Sequence, residues 1–362
     1  SCKQNNARSS ATQSPEKNEI QYAKGLELYK RKGYSILKIT HPWPGSTTSF
    51  TYILQEKNGV IPDSLKQYNR ISVPIESVVV TSTTHIPALE LLGVENTLVG
   101  FPNTDFISSQ KTRKRIDTGK IKEVGTNETL NTEILIDMAP DAIVSFGLNN
   151  SNPTLDNLEK SGLKVLLNGD WNEQSPLGRA EWIKFFGALY GLDAKAKTIF
   201  STIEKEYQTT LALAQKAQQK PTVLSGAMYQ DQWFVPQGES WMALFLKEAQ
   251  SNYLWADTKG TGSLSLPFET ILEKAQKAEF WIAPGDFSSL QEMNNSNPHY
   301  AKFKAFQNKK VYSYAIHKGA KGGILFFEWS SARPDWVLKD LIAIFHPELV
   351  PQYTPHFFEK LN

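Results

Sequence analysis

The chain has 362 residues, of which 40% are hydrophobic and 21% charged, proportions typical of a globular protein. Its 39 Lys and Arg residues nearly balance 37 Asp and Glu residues, which gives a net charge of +2. This balance argues against a general nucleic-acid-binding protein, because such a protein needs a strongly basic surface. No apolar run reaches the roughly 20 residues that a transmembrane helix needs.

The first 20 residues differ in character from the rest of the chain. Cys2 is the only cysteine, and the stretch 3–19 is rich in Ser, Asn, Gln and Lys. Such a composition buries little apolar surface, so it predicts a disordered tether over residues 1–20. A lone cysteine before a polar tether is typical of a lipid-acceptor site, and an incidental cysteine is the alternative. We therefore expect an N-terminal lipid on Cys2 that anchors the protein to a membrane surface.

The region 21–192 is predicted to form an α/β lobe. It begins with an added β-hairpin at about 34–55, where two alternating segments flank a turn-rich loop. Short apolar runs then alternate with helical patterns, which favours a mainly parallel sheet covered by helices. The predicted strands are 77–81, 97–100, 142–146 and 164–167, and the predicted helices are 86–92, 132–138 and 155–161.

A second α/β lobe is predicted over 221–362. Residues 193–220 lie between the lobes, lack a strand pattern and are rich in strong helix formers, so they predict one long connecting helix. Strands are then predicted at 222–225, 280–283 and 311–314, with helices at 241–248, 268–277 and 336–345. The fold class predicted from these patterns is α/β, with two Rossmann-like lobes joined by a single long helix and a ligand cleft between them.

Motifs of catalysis are missing from the sequence. It contains no GxGxxG or GxxxxGK[ST] phosphate loop, no GxSxG nucleophile elbow and no HExxH zinc motif. The single cysteine lies in the predicted tether, which excludes cysteine catalysis in the lobes. These observations disfavour an enzyme, and no metal site of the protein's own is expected.

Four segments resemble the substrate-binding proteins of ABC importers for metal chelates, namely siderophores, haem and cobalamin. Segment 77–101 is similar to the family's opening strand, helix and second strand, and 124–146 to its motif "G…N.E.i..l.PD.vi". Segment 266–283 is similar to the matching part of the second lobe. Segment 331–349 is similar to the family's closing helix. The resemblance covers about residues 70–350.

The resemblance implies a carrier without a cofactor of its own. Ligand would sit between the lobes, and the loaded protein, expected to be a monomer, would deliver it to an ABC permease dimer with its ATPase. One acidic side chain of each lobe would dock on the permease, and the matching positions here are Glu133 and Glu269. The alternative is that both acids only stabilise the N-termini of their helices.

Ligands of parallel α/β sheets collect at the carboxyl ends of the strands, so the loops at these ends are the candidate cleft. They are rich in aromatic side chains, which suit large flat ligands with polar ends. The residues predicted to line the cleft are His85, Phe101, Phe106, Phe146, Tyr229, Trp233, Trp241, Lys318 and Trp329. Trp233 is the first choice among them, because the segment YQDQW has an exposed character.

An iron chelate, either a siderophore or haem, is the first expectation for the ligand, and cobalamin is the alternative. An anionic siderophore would need cations such as Lys318, and haem would need an axial ligand, for which His85, His317 and Tyr229 are candidates. The basic run 111–115 is interpreted as a solvated loop, and a phosphate site is the alternative. Two other classes remain open: a chelatase-like or nitrogenase-like enzyme, and a surface adhesion or structural lipoprotein that would give no ligand-dependent thermal shift.

Overall fold

The computed structural model describes residues 16–362 and contains two α/β lobes preceded by a small separate sheet. Residues 1–15, and with them Cys2, lie outside the described part, so lipidation stays a prediction. The boundary of the predicted tether is wrong at its end: Ile20 is buried, and the Glu19 N–H donates to the Leu28 carbonyl at 2.9 Å.

The N-terminal sheet has four strands in the order β1-β2-β3-β4. The strands are β1 (Leu26–Arg31), β2 (Tyr34–Ile39), β3 (Phe50–Glu56) and β4 (Asn69–Val73). β2 and β3 occupy the predicted hairpin and pair antiparallel, with Tyr34 opposite Gln55. The hairpin is not isolated, because β1 pairs antiparallel with β2 and β4 pairs parallel with β3.

Two buried carboxylates hold the residues that precede this sheet against the N-lobe by hydrogen bonds. Glu181 accepts hydrogen bonds from the backbone N–H groups of Gln21, Tyr22 and Ala23, at 2.9, 2.7 and 2.9 Å. Glu173 accepts the N–H groups of residues 24 and 25. Because each buried carboxylate receives several donors, its charge is compensated in the interior.

The N-lobe contains a five-stranded parallel sheet in the order β7-β6-β5-β8-β9. Its elements are β5 (Val78–Val80), α1 (Ile86–Leu92), β6 (Leu98–Phe101), α2 (Gln110–Asp117), β7 (Lys122–Glu123), α3 (Thr132–Met138), β8 (Ala142–Ser145), α4 (Pro153–Lys160) and β9 (Val165–Leu167). All three residues of the central β5 are fully buried, as expected of a strand covered on both faces. α1 ends at Gly93, whose φ of 73° suits a left-handed cap.

Three helices connect the lobes. They are α5 (Pro176–Ala180), α6 (Ile183–Leu189) and α7 (Asp193–Ala214). α7 begins at the predicted residue, ends before the predicted limit of 220 and is 22 residues long, or about 33 Å. It buries Phe200, Ile203 and Tyr207 and packs against α6 and the last helix of the C-lobe, at Pro334–Phe345, so it joins the two halves into one packed unit.

The C-lobe repeats the design, with a sheet in the order β13-β10-β15-β16-β17 and an antiparallel side sheet in the order β11-β12-β14. Only β17 runs antiparallel in the main sheet. The elements are β10 (Thr222–Ser225), β11 (Ala227–Tyr229), β12 (Gln232–Pro236), α8 (Trp241–Glu248), β13 (Asn252–Tyr253), β14 (Ser263–Leu266), α9 (Phe268–Ala275), β15 (Phe280–Ile282), α10 (Leu290–Ser296), α11 (Lys304–Gln307), β16 (Val311–Ser313), α12 (Leu325–Trp329), α13 (Pro334–Phe345) and β17 (Glu359–Lys360). The predicted α/β fold class with two lobes is confirmed.

Candidate functional site

The two lobes meet at the carboxyl ends of their parallel strands. Glu328 of α12 reaches across from the C-lobe to the residues just before α2. It accepts the backbone N–H groups of Ser108 and Ser109, each at 3.0 Å, and the Ser108 hydroxyl at 2.5 Å. Behind it, the Ser109 hydroxyl donates to Glu90 at 2.7 Å. These bonds form a latch between the lobes.

The backbone on each side of this latch approaches closely. A Cβ atom added to Gly319 would overlap the Ser108 backbone, and one added to Gly323 would overlap the carbonyl of Phe106. Only glycine permits such an approach. The segment 319–323, which we call the crossing loop, therefore closes the space between the lobes at this point.

The latch carboxyl has an unusual protonation equilibrium. Burial raises the pKa of Glu328 to about 7, against the opposing effect of its hydrogen bonds from residues 108 and 109. The nearby Glu90 carboxylate raises it further, and burial raises the pKa of Glu90 as well. The contact between the lobes is therefore sensitive to pH close to neutrality.

Large apolar side chains are exposed at the carboxyl ends of both sheets. Phe106 follows β6 and is 60% exposed, while Leu148 follows β8 and is also exposed. On the C-lobe, Tyr229 at the end of β11 is 67% exposed and Phe327 of α12 is 52% exposed. Phe327 lies four residues beyond Gly323, which contacts the Phe106 backbone. We call these four residues the apolar rim. Exposed apolar and aromatic side chains on the loops that follow the strands of both lobes are typical of a ligand-binding surface.

A cavity of about 900 Å³ opens beside the crossing loop, and we call it the α2 cavity. Its N-lobe wall is residues 108–118, including Lys111, Arg113 and Lys114, and its C-lobe wall includes Lys318. Trp329 and Trp336 complete the C-lobe wall, with ring centroids 6.1 Å apart and planes 24° from parallel. Both lobes thus contribute to one large polar and aromatic space.

Five of the predicted cleft residues are accessible. Phe106 and Tyr229 belong to the apolar rim, and Phe146 is half-buried just after β8. Lys318 is exposed, with its Nζ atom 3.4 Å from Asp286 Oδ1, and Trp329 is half-buried in the wall of the α2 cavity. Their accessibility is consistent with contact to a ligand, and their role in binding stays a prediction.

Trp233, the first choice from the sequence, is a core residue. It is 0% exposed, and its indole N–H donates to the Ser225 carbonyl at 3.0 Å. Its ring lies 5.3 Å from that of Trp281 and 5.4 Å from that of Phe303. The alternation along β12 turns Trp233 inward and Phe234 outward, so the placement of Trp233 in the cleft is wrong for this structure.

Two further predicted residues are also removed from the accessible surface, and a third, Trp241, is half-buried. Phe101 and His85 are fully buried, and neither ring nitrogen of His85 has a partner among the described residues. Burial lowers the pKa of His85 against an opposing effect of Asp170, so the ring is neutral. Trp241 packs under the Arg179 guanidinium, 4.3 Å from its ring centroid. His85 and Phe101 therefore cannot contact a ligand in this arrangement of the lobes, and Trp241 has a structural partner.

The sequence interpretation of the basic run 111–115 as a loop is wrong. The run is not a loop but lies on α2, with Lys111, Arg113 and Lys114 in the cavity wall. Arg115 is structural, because its guanidinium donates to the carbonyls of Glu95, Asn96 and Leu98. Phe327 and Leu148 were also absent from the predicted cleft residues. Their position after β16 and β8 is the signal that could have identified them.

The two predicted docking acids are exposed in the first turns of their helices. Glu133 lies in α3, whose N-cap Asn131 accepts the Ile134 N–H at 3.1 Å. Glu269 lies in α9, directly after Pro267 and Phe268. Within residues 16–362, no helix is long and apolar enough to cross a bilayer, and no three His, Cys, Asp or Glu side chains are grouped so as to hold a metal ion.

Comparisons with known proteins agree with this architecture. A family model described as periplasmic binding protein matches residues 78–315. An uncharacterized lipoprotein of Methanocaldococcus jannaschii is 27% identical over 368 residues, covering 95% of this chain and 85% of that protein.

Solved structures of similar fold include two binding proteins. A periplasmic heme binding protein from Pseudomonas aeruginosa aligns with a TM-score of 0.58 at 18% identity, over 80% of this chain and 98% of that one. The triscatecholate siderophore binding protein FeuA from Bacillus subtilis, complexed with ferri-bacillibactin, aligns with a TM-score of 0.55 at 16% identity, over 75% of this chain and 94% of that one. At these identities the likeness establishes the fold.

Proposed function

The chain belongs to the periplasmic binding protein family, and from that premise we propose that it is the substrate-binding component of an ABC importer that captures an iron chelate, a siderophore or haem, and delivers it to the permease. The family is one of binding proteins, so no catalytic activity is assigned. The apolar rim carries the proposal, because exposed aromatic rings from both lobes suit a large flat ligand. Cobalamin, which carries its own metal ligands, is the alternative.

Two further considerations support a chelate ligand. The solved proteins of the same fold include binders of heme and of a ferric siderophore. For haem, Tyr229 is the axial candidate that the arrangement favours, because it is exposed in the apolar rim whereas His85 is buried. His317 lies in the wall of the α2 cavity, with Nε2 3.2 Å from Glu359 Oε2.

The proposal predicts a saturable response to one class of chelate. A ligand that binds only the folded state at about 100 times its Kd adds roughly 2.7 kcal/mol to the free energy of unfolding. Thermal melting and tryptophan fluorescence should therefore be measured with haem, several ferric siderophores and cobalamin. A saturable rise in Tm with a siderophore or haem supports the proposal, and a response to cobalamin alone selects the alternative. Melting that none of these ligands changes would refute the chelate carrier and favour a surface lipoprotein.

Delivery to a permease is expected to depend on Glu133 and Glu269. Exposed charges at a docking surface mainly speed and orient association. Glu133→Lys combined with Glu269→Lys should reduce chelate uptake by cells at least about tenfold, while the Kd for the chelate stays within about twofold. The matched control is Asp137→Lys with Glu273→Lys, one turn further along the same helices and also exposed. Equal uptake by the two double variants would contradict docking through the predicted pair.

We also propose that the protein is held at the membrane of the periplasm by a lipid on Cys2. Relatives from Methanocaldococcus jannaschii that bear the name lipoprotein support this. Fractionation of the cells used for the uptake measurement should find the wild type in the membrane fraction and a Cys2→Ser variant in the soluble fraction. A Cys2→Ser variant that remains in the membrane fraction would contradict the anchor.

A further inference from the structure

We propose that the latch between the lobes is operated by a proton. While the Glu328 carboxyl holds the proton, the lobes stay in contact, and when it loses the proton they separate and admit ligand to the surfaces between them. The inference rests on the proposed function, since it concerns the regulation of the same site. The geometry carries it, because Glu328 is fully buried and its three hydrogen-bond donors belong to Ser108 and Ser109 of the opposite lobe.

The contact between the lobes leaves almost no free space at its centre. A cavity of about 20 Å³, lined by Thr84 and Asp170 of the N-lobe and by Ser331 of the C-lobe, has room for about one water molecule. α12 packs against the turn 83–85, in which His85 is fully buried. Sites for small molecules usually enclose about 300–1,000 Å³, so a chelate reaches this part of the surface only after the lobes have separated.

The crossing loop is built so that it moves as a unit with the C-lobe. Lys318 and Ile324 pair across its base, and the Gly319 N–H donates to the Gly323 carbonyl at 2.7 Å. These bonds lie within the C-lobe, so they are kept when the lobes part. The bonds that must break across the contact include those that Glu328 accepts, and a change of charge on Glu328 alters them directly.

The carboxyl groups around the latch favour the protonated form of Glu328 in the closed contact. Burial raises the pKa of Glu328 to about 7, and Glu90 of α1 raises it further. Glu95 and Lys111, which lie 3.0 Å apart, act on the pKa of Glu90 in opposite directions. Separation of the lobes returns Glu328 to water and toward its ordinary pKa of 4.5. The preference for the closed contact is therefore fully present below pH 4.5 and is lost as the pH rises through 7.

The other titratable and charged groups beside α12 leave the Glu328 carboxylate uncompensated. His85 is neutral because burial lowers its pKa, and burial raises the pKa of Tyr314, so that ring is neutral too. The cations Arg113 of α2 and Arg333 after α12 each lie near another carboxylate, at 3.6 and 2.8 Å. A Glu328 that loses its proton in the closed contact thus meets the Glu90 carboxyl, and opening of the lobes relieves this unfavourable charge.

Hydrogen exchange of the Ser108 and Ser109 amides measures the opening, because both donate to Glu328 in the closed contact. Protection factors, which correct for the pH dependence of the chemical exchange rate, should fall roughly tenfold from pH 6.0 to pH 8.5 in the wild type. Glu328→Gln does not titrate, so its values should stay within about twofold. The matched control is Glu348→Gln, at an exposed residue of the same lobe, and it should follow the wild type. Wild-type protection that does not change with pH, or an equal fall in Glu328→Gln, would overturn the inference.

A second variant opens the contact without changing any charge. A Cβ atom added to Gly323 would overlap the carbonyl of Phe106, so Gly323→Ala should remove the protection of the Ser108 amide at both pH values. The control is Gly262→Ala, where the added Cβ atom meets Gln237 Oε1 at 3.6 Å, and its protection should follow the wild type. Wild-type protection in Gly323→Ala would contradict the part assigned to the crossing loop.

Access to the space between the lobes is measured with diethyl pyrocarbonate, which modifies neutral histidine rings. The rate of His85 modification in the wild type, divided by that in Glu328→Gln at the same pH, should rise roughly tenfold from pH 6.0 to pH 8.5. This ratio removes the pH dependence of the reagent itself. A ratio that stays constant would refute the opening of the lobes by loss of the proton.

The association rates of haem and of ferri-bacillibactin, followed by tryptophan quenching, should show the same rise in the ratio of wild type to Glu328→Gln. A chelate that binds with a ratio independent of pH would overturn the claim that the latch admits ligand. If neither chelate binds, that result counts against the proposed function, and the amide exchange and the His85 modification still decide whether a proton operates the latch.

Discussion

Replacing Trp233 by alanine is expected to lower the free energy of unfolding by about 3–5 kcal/mol, because it empties the centre of the C-lobe aromatic core. The Trp233 ring packs against Trp281, Tyr300 and Phe303, and its N–H bond to Ser225 would also be lost. Urea denaturation followed by circular dichroism measures the loss. The effect is expected even without ligand, since the residue serves packing.

Tyr229→Ala is the matched control, at a residue of the adjacent strand that is exposed. It should change stability by less than about 1 kcal/mol, because the ring contacts mainly Phe234 at 6.3 Å. It should instead weaken chelate binding severalfold. A Trp233→Ala protein of normal stability with lost chelate affinity would return Trp233 to the ligand-binding surface.

The second large effect expected is a pH dependence carried by Glu328. Its pKa is about 7 in the folded protein against an ordinary 4.5, so between these values the folded state binds more protons than the unfolded state. Stability from this group is therefore fully present below pH 4.5 and is lost as the pH rises through 7. The difference between the limits is roughly 3 kcal/mol.

Glu328→Gln isolates this contribution, because the amide retains an acceptor for Ser108 or Ser109 but does not titrate. The free energy of unfolding should be measured from pH 4.5 to 8 for both proteins. The wild type should lose more stability than the variant as the pH rises, although other buried acids such as Glu173 and Asp340 also have raised pKa values and contribute to both curves. Parallel curves for the two proteins would show that the latch carboxyl does not titrate in this range.

Much of the fold could be predicted because local signals agree with the tertiary structure. α3 and α8 have the predicted limits, and each begins after a side-chain cap, from Asn131 and Ser240. β10 also has its predicted limits, since a short apolar run is the pattern of a central parallel strand. The four-stranded sheet was only half predicted. β4 pairs with β3 across a loop, and such non-local pairing leaves no periodic signal. β1 was missed although it pairs with β2 across a two-residue turn and its segment LELYKR alternates.

The candidate site was harder to predict than the fold. Strand position located Phe106 and Tyr229, but aromatic character alone does not distinguish a core ring from a rim ring. The alternation in QWFVP places Trp233 with Val235 on the inner face, a signal that the sequence contained. Arg113 and Lys114 line a cavity only because C-lobe residues lie opposite them, and the sequence of α2 does not carry that information.

The hydrogen bonds from the backbone of residues 21–25 to Glu181 and Glu173 bear on the order of folding. The paired groups are 148 to 160 residues apart in the chain. Closing such a loop without prior structure costs roughly 4 kcal/mol of chain entropy, so we expect these bonds to form after the N-lobe sheet has assembled. The amide hydrogens of residues 21–25 become protected from exchange with water only then. Their protection therefore marks completion of the whole N-lobe, although they lie near the beginning of the chain.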